Sequence, residues 1–299
     1  MPGAIDPNGL LLLAAIARAG SLSRAAAALN TVQPNVTSRL RAFEDAVGAP
    51  LFERHSRGVT PTRTGRLLLP FAHRVEAALR EAGQALDDAE TPGGALRIGS
   101  METTAALRLP AILPDFTRAF PEVELVLRTG PTADLVAAVL AGELDAALVS
   151  GPCSDTRLVQ EVVFREELVL VTSPGAAGAE PPGSAEGVRI VVFKEGCSYR
   201  DRLERLLAER GVAVLRRHEL GTLEGVLACI GAGLGIGLLP KGAVETARRA
   251  GLVATHALAP EIARVETLFI RRAGAFEPRT LRAFLMRLRN GSTTIRAAE

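Results

Sequence analysis

Between Leu96 and Asn290, short apolar runs suited to strands alternate with helical segments, and this alternation constrains the fold most strongly. Strands are read at Leu96–Ser100, Glu122–Arg128, Leu144–Val149, Leu168–Thr172, Val188–Phe193, Ile236–Pro240 and Val265–Arg271. Helices are read at Thr104–Phe120, broken or bounded by Pro110 and Pro114, and at Ala133–Ala141, Tyr199–Gly211, Thr222–Ala232, Gly242–Ala250 and Thr280–Asn290. Such alternation predicts parallel sheets with helices on both faces. The Pro/Gly/Ala/Ser-rich stretch Ser173–Gly187 is read as a surface loop.

At 299 residues and 47% hydrophobic, the chain can hold two or three domains with real cores. Met1–Leu10 carries Asp6 and no basic residue, so it does not read as a signal peptide. The longest apolar run, Gly225–Pro240, holds five glycines and falls short of the roughly 20 residues a membrane helix needs. Its run Gly231–Gly237 follows a helix and enters a strand, the reverse of a dinucleotide fingerprint. The three cysteines (Cys153, Cys197, Cys229) form no disulfide framework and no paired zinc pattern. The four histidines are scattered, which argues against a metal or triad enzyme. A cytoplasmic chain without metal or cofactor is expected.

Charge divides the sequence. Residues 1–66 hold eight arginines against Asp6, Glu44, Asp45 and Glu53, a net of +4, whereas the remainder is net −2. A local positive end is the footprint of a nucleic-acid-binding module. Only Lys194 and Lys241 are lysine among 35 basic residues. That bias suits phosphate and carboxylate recognition, and a GC-rich genome produces it equally.

The basic segment reads as helices. Leu10–Ala19 is apolar and ends at Gly20, and Ser21 can cap a second helix through Leu29. A third helix follows Thr31 or Val32, with Pro34 in its first turn and Gly48 at its end. Its residues Val36, Leu40, Phe43 and Val47 make one apolar stripe. Pro34, Asn35, Thr37, Ser38 and Arg41 fall on the far side, while Gln33 and Arg39 are ambiguous on the helical wheel. The pair reads as a helix-turn-helix, although an ordinary helix with a solvated face gives the same wheel. What favours the first reading is the hairpin of Leu51–His55 and Val59–Pro61 around Ser56-Arg57-Gly58, a basic tip placed like a wing.

Ala19–Gly65 resembles the N-terminal signature of LysR-type transcriptional regulators. The matching positions include Gly20, Ser21, Ala25, Ala26, Leu29, Gln33, Pro34, Val36, Thr37, Glu44, Gly48, Leu51, Phe52, Arg54 and Gly65. Phe43 and Thr37 stand where the family usually has Leu and Ser. The resemblance implies a winged helix-turn-helix, a long linker helix and a two-lobed, Rossmann-like α/β effector domain of the periplasmic-binding-protein type. It implies that Gln33, Pro34 and Thr37 approach base edges of double-stranded DNA. Ser38, Arg39, Arg54 and Arg57 would then lie nearer phosphates or the minor groove. It also implies a homodimer or homotetramer, a small-molecule effector and, for an activator, contact with RNA polymerase.

The expected organisation is a DNA-binding domain at 1–63, a linker helix at 64–90, a hinge at 91–94 and an effector domain at 95–299. One lobe is placed at 95–163 plus 268–299 and the other at 164–267, with crossings at Gly151–Phe164 and near Glu266. Along the linker, Leu68, Phe71, Val75, Ala78, Ala82 and Ala85 form a heptad-like seam. This seam either packs on its own domain or, as the resemblance implies, pairs with a second subunit. Pro70 inside the helix has no functional account. Gly142–Pro152 resembles a further family segment.

Ligands of open α/β sheets sit at the carboxyl ends of strands. That rule selects Ser100, Met101, Glu102, Thr103 and Thr104, then Ser150, then Cys197, Ser198 and Arg200, then Thr222. Plain helix capping explains each equally. Hydroxyls and N–H groups near Ser100 suit a carboxylate, and Arg200 could hold an acid bidentately. Glu102 would instead take an ammonium group or cap its helix pointing away. The GxMETT and GCSYR pair is similar to a LysR subgroup that includes a sarcosine-oxidase regulator. The expected effector is an amino acid or small organic acid. Cys197 is either a redox thiolate at a helix start or a small packed residue, and no spaced partner cysteine supports the former. An enzyme or transport binding protein, read from the α/β lobes alone, lacks an export signal and a catalytic constellation. A DNA-packaging protein would not need the long sensor domain.

Overall fold

The structure is a computed structural model that describes residues 5–87, 93–176 and 187–296. The end of the expected linker helix (88–90), the first half of the expected hinge (91–92) and most of the expected surface loop (177–186) lie outside the described residues. Contacts divide the chain into an N-terminal unit, which also takes in residues 141–143, and a larger C-terminal unit.

The N-terminal unit begins with α1 (Pro7–Ala19), three residues earlier than the apolar run suggests. Asp6 explains the difference. Its carboxylate accepts the Asn8 N–H at 3.1 Å and caps the helix ahead of Pro7. α2 (Leu22–Ala28) and α3 (Gln33–Val47) follow. Ser21 stands at the N-cap of α2, but its side chain makes no capping bond. Leu13, Ile16, Ala25, Val36, Leu40 and Phe43 close one core. β1 (Phe52–His55) and β2 (Gly58–Pro61) form an antiparallel hairpin in register from Phe52↔Pro61 to His55↔Gly58.

Backbone approach fixes the hairpin against its neighbours. The Val59 N–H donates to the Gly20 carbonyl at 3.0 Å, and a Cβ on Gly58, whose φ is +137°, would collide with that same oxygen. The Glu44 carboxylate in α3 accepts the Leu51 N–H at 2.7 Å, tying helix to wing. Thr62 accepts the Gly65 N–H at 3.1 Å and so caps α4 (Arg63–Asp87). A Cβ on Gly65 would strike the Leu51 carbonyl.

The seam of α4 resolves into two faces. Leu68 and Val75 pack with Leu69 and Ala72 on the core of the N-terminal unit. Phe71, Ala78, Ala82 and Ala85 are exposed instead, beside Leu67 at 63% and Leu79 at 57% exposure. Pro70 is exposed within the helix, and nothing in the structure explains it.

In the C-terminal unit, β3 (Gly94–Ser100), α5 (Glu102–Leu107), α6 (Leu113–Ala119), β4 (Val123–Thr129), α7 (Thr132–Ala141) and β5 (Ala146–Ser150) come first. The long β6 (Leu158–Thr172) leads to β7 (Val188–Phe193), α8 (Ser198–Glu209), β8 (Val214–Leu220), α9 (Leu223–Gly231) and β9 (Gly237–Pro240). α10 (Lys241–Arg249), β10 (Ala254–His256), α11 (Pro260–Ala263), β11 (Arg264–Arg272) and α12 (Arg279–Arg296) complete it. β3 is parallel to β4 and β5, and β7 to β8.

The strands of the crossings add antiparallel pairing to the parallel sheets. β6 and β11 pair antiparallel from Arg264↔Glu167 to Arg272↔Leu158, so they traverse the unit in opposite directions. β11 continues onto β5, and β6 onto β9 and β10, also antiparallel. The unit is therefore a two-lobed mixed α/β fold. One lobe packs around Leu96, Ile98, Phe116, Phe269 and Phe284, the other around Leu168, Ile190, Leu203 and Leu207. The first crossing enters β6 at Leu158 and continues along it. β8, β10 and α11 are additions to the sequence reading. The glycines of 231–237 serve packing: a Cβ on Gly231 or Gly235 would meet the Leu252 or Arg189 carbonyl oxygen.

Candidate nucleic-acid face and effector cleft

The N-terminal edge of α3 is polar and open. Gln33, Pro34, Asn35, Ser38, Arg39 and Arg41 are exposed and Thr37 is half-buried, while Val36 and Leu40 turn into the core. Arg54 on β1 and Arg57 at the hairpin tip are exposed too. Among the described residues, Arg39, Arg41, Arg54 and Arg57 form no ion pair with a carboxylate. Arginines of the C-terminal unit behave differently. Arg118 pairs with Asp115, Arg157 with Asp155, Arg217 with Glu204, Arg248 with Glu245 and Arg289 with Glu161. Arg18 pairs with Glu76, but the arginines of α3 and the hairpin leave their charge uncompensated on one surface. Such a surface suits a polyanion.

The C-terminal unit contains a cavity of about 270 Å³ at the carboxyl ends of its parallel strands. Met101, Glu102 and Thr103 follow β3, Arg128 and Thr129 end β4, Phe193 and Lys194 end β7, and Leu220 and Gly221 end β8. Cys197, Tyr199, Asp134 and Leu135 also line it. Side chains of both signs therefore share the lining with threonines, Tyr199 and apolar groups. Tyr199 is only 3% exposed and Thr103 only 2%, yet both line the cavity and neither hydroxyl has a hydrogen-bond partner. The Thr103 hydroxyl lies beside the Tyr199 hydroxyl but outside hydrogen-bonding geometry. Burial, then the nearby Glu166 charge, holds the Tyr199 phenol protonated far above its ordinary range. Glu166 is itself buried and accepts from Arg108 Nε at 3.1 Å. A buried hydroxyl without a partner is costly.

Residues 7–66 match the description "Bacterial regulatory helix-turn-helix protein, lysR family", and residues 89–292 match "LysR substrate binding domain". The chain belongs to the LysR family. The transcriptional regulator GltR of Bacillus subtilis is 40% identical over 274 residues, covering 92% of this chain and 93% of that protein. The regulator CzcR of Bacillus thuringiensis is 38% identical over 281 residues, covering 94% and 93%. Two solved structures share the fold. A full-length OxyR variant from Pseudomonas aeruginosa aligns at TM-score 0.71 with 20% identity, covering 95% of this chain and 94% of that one. CbnR bound to its target DNA aligns at 0.63 with 22% identity, covering 96% and 99%. This LysR chain is a DNA-binding transcriptional regulator that carries an effector-binding domain.

Of the effector candidates in this LysR domain, Met101, Glu102, Thr103 and Cys197 line the cavity. The others have different surroundings. Ser100 and Ser150 are buried, with hydroxyls directed at the Met101 and Gly151 carbonyls. Thr104 and Ser198 carry buried hydroxyls without partners, outside the lining. Thr222 caps α9 by accepting the Gly225 N–H at 3.2 Å. Arg200 is held by Glu204 at 3.3 Å and Glu219 at 2.9 Å, so its fork is already occupied. Burial pushes the Cys197 thiol up, outweighing the N–H groups of Arg200 and Tyr199, which fits the packed-residue reading. Arg128 and Thr129 escaped the sequence reading. The strand-end rule could have found them, because both lie at the end of β4.

Proposed function

We propose that α3 and the wing read DNA directly while a small zwitterion in the cleft tunes that reading. In this account Gln33, Pro34, Asn35 and Thr37 face base edges. Ser38, Arg39, Arg41, Arg54 and Arg57 face phosphates or the minor groove. The observation that carries it is the set of unpaired arginines around the open edge of α3, against the paired arginines of the C-terminal unit. Each phosphate contact releases counterions, so Arg57→Ala should weaken binding to all duplexes alike and lower the salt slope by about one unit. Thr37→Ala should relax sequence choice instead. Unchanged affinity and slope in Arg57→Ala would remove the wing from the interface.

The effector reading rests on Glu102 and Asp134 sharing one cavity with Lys194. An ammonium and a carboxylate on one small molecule can satisfy both signs, and the Thr103 and Tyr199 hydroxyls supply the missing polar partners. The other expected effector residues, from Ser100 to Thr222, would support the lining from behind without touching the ligand. Titration calorimetry with a panel of amino acids and their deaminated analogues tests this, and binding of the deaminated analogues alone would sink it. The protein works, in this account, as a cytoplasmic homodimer or homotetramer and meets RNA polymerase if it activates. Among the described residues no single helix is long and apolar enough to cross a membrane.

A further inference from the structure

We propose that Arg24, on α2, grips a DNA backbone phosphate beside the wing, in a contact separate from those of α3 and the hairpin tip. The inference rests on the reading that α3 and the wing face DNA. Arg24 is the one charged side chain of α2. It is exposed, and among the described residues it has neither a carboxylate partner nor a hydrogen-bond acceptor. Its guanidinium lies back over the turn between α1 and α2, where a Cβ placed on Gly20 would stand 3.4 Å from Arg24 Nη2. The same glycine abuts the wing. Its carbonyl accepts the Val59 N–H at 3.0 Å and leaves no room for a Cβ on Gly58. Gly58 pairs with His55 at the tip end of the hairpin, directly after Arg57. Arg24 therefore stands at the end of the wing that carries Arg57.

In a helix-turn-helix, the helix ahead of the recognition helix crosses the sugar–phosphate backbone. Here that helix is α2. An arginine with no internal partner gives up no ion pair on meeting a phosphate, and its planar fork can take two phosphate oxygens at once. The other arginines of residues 1–66 outside α3 and the hairpin are placed differently. Arg18 is held by Glu76, and Arg66 donates to the Pro61 carbonyl at 2.7 Å. Arg63 is exposed, but it follows the opposite end of the hairpin, where Pro61 pairs with Phe52. A phosphate contact carries no base information, so Arg24 fixes where the head sits on the duplex rather than which bases it selects. It is a positioning residue.

Salt titrations of DNA binding by the full-length protein test the proposal, on a duplex selected from a random pool and on one of random sequence. Arg24 is exposed on a helix, so Arg24→Ala keeps the fold. Arg24→Ala should weaken both duplexes by the same factor and lower the salt slope by about one unit per head. A fourfold rise in salt should then cost it about 3-fold less affinity than it costs the wild type. Arg24→Lys should restore the slope, because an ammonium also meets a phosphate, and Arg63→Ala should leave the slope unchanged. Replacing phosphates of the selected duplex one at a time by neutral methylphosphonates locates the contact. One replacement should weaken the wild type and leave Arg24→Ala unaffected, and a different one should leave Arg57→Ala unaffected. If Arg57→Ala lowers the slope and Arg24→Ala does not, or if Arg63→Ala lowers it as much as Arg24→Ala, the Arg24 contact is overturned. A single replacement to which both variants are blind overturns its separateness from the tip. If Arg24→Ala, Arg39→Ala and Arg57→Ala all leave affinity and slope unchanged, the DNA-facing placement of α3 and the wing fails instead.

Discussion

At the scale of single residues, Tyr199 most directly links the fold to function. Its phenol is buried at the cleft, and no hydrogen bond of good geometry satisfies it. Tyr199→Phe should therefore raise the stability of the ligand-free protein by about 1 kcal/mol in urea denaturation. It should also weaken effector binding about tenfold by calorimetry, and a loss of stability would show that the hydroxyl is already satisfied. Glu204 offers a pH-dependent test. The Arg217 hydrogen bond, and secondarily Arg200, hold its carboxyl below the ordinary glutamate value of 4.5. A carboxylate lowered in the folded state stabilises above its unfolded value, and that contribution is lost as pH falls through the folded value. Glu204→Gln should thus be less stable than the wild type at pH 6, and the gap should narrow as the pH is lowered below 4.5. A gap independent of pH would exclude the ion pairs as its source.

Among elements, α3 and the wing were legible from sequence, because a 3.6-residue stripe and turn glycines are local signals. The Val36, Leu40, Phe43 stripe and the end at Gly48 appear where the pattern places them. β6 was half missed. Residues 158–167 mix charged and apolar side chains, and their partner strand β11 lies about a hundred residues later. β8 was missed because Arg216, Arg217, His218 and Glu219 interrupt its apolar character, and with it went Glu219, which occupies Arg200. Arg200 therefore looked available from sequence and is not. The linker helix shows the same limit. A single seam was read where the structure has one face on its own core and another, including Leu67 and Phe71, left open. If that open face joins two subunits, Phe71→Glu should shift the protein toward monomer in sedimentation velocity without lowering its helix content. A dimer of undiminished stability would place the subunit contact elsewhere.

At the scale of the whole molecule, the chain separates recognition from sensing by charge as well as by fold. Residues 1–66 carry the net positive charge with open arginines, and the remainder carries a small negative charge in which many arginines are paired. A single winged head reads only a few base pairs, so a useful specificity needs two heads on one duplex. Hydroxyl-radical footprinting of the full-length protein on a duplex recovered from a random pool tests this account most directly. It predicts two protected half-sites with dyad symmetry on one face of the DNA, separated by whole helical turns of about 34–36 Å. A single unbroken stretch of protection without symmetry, or protection that ignores sequence, would contradict it.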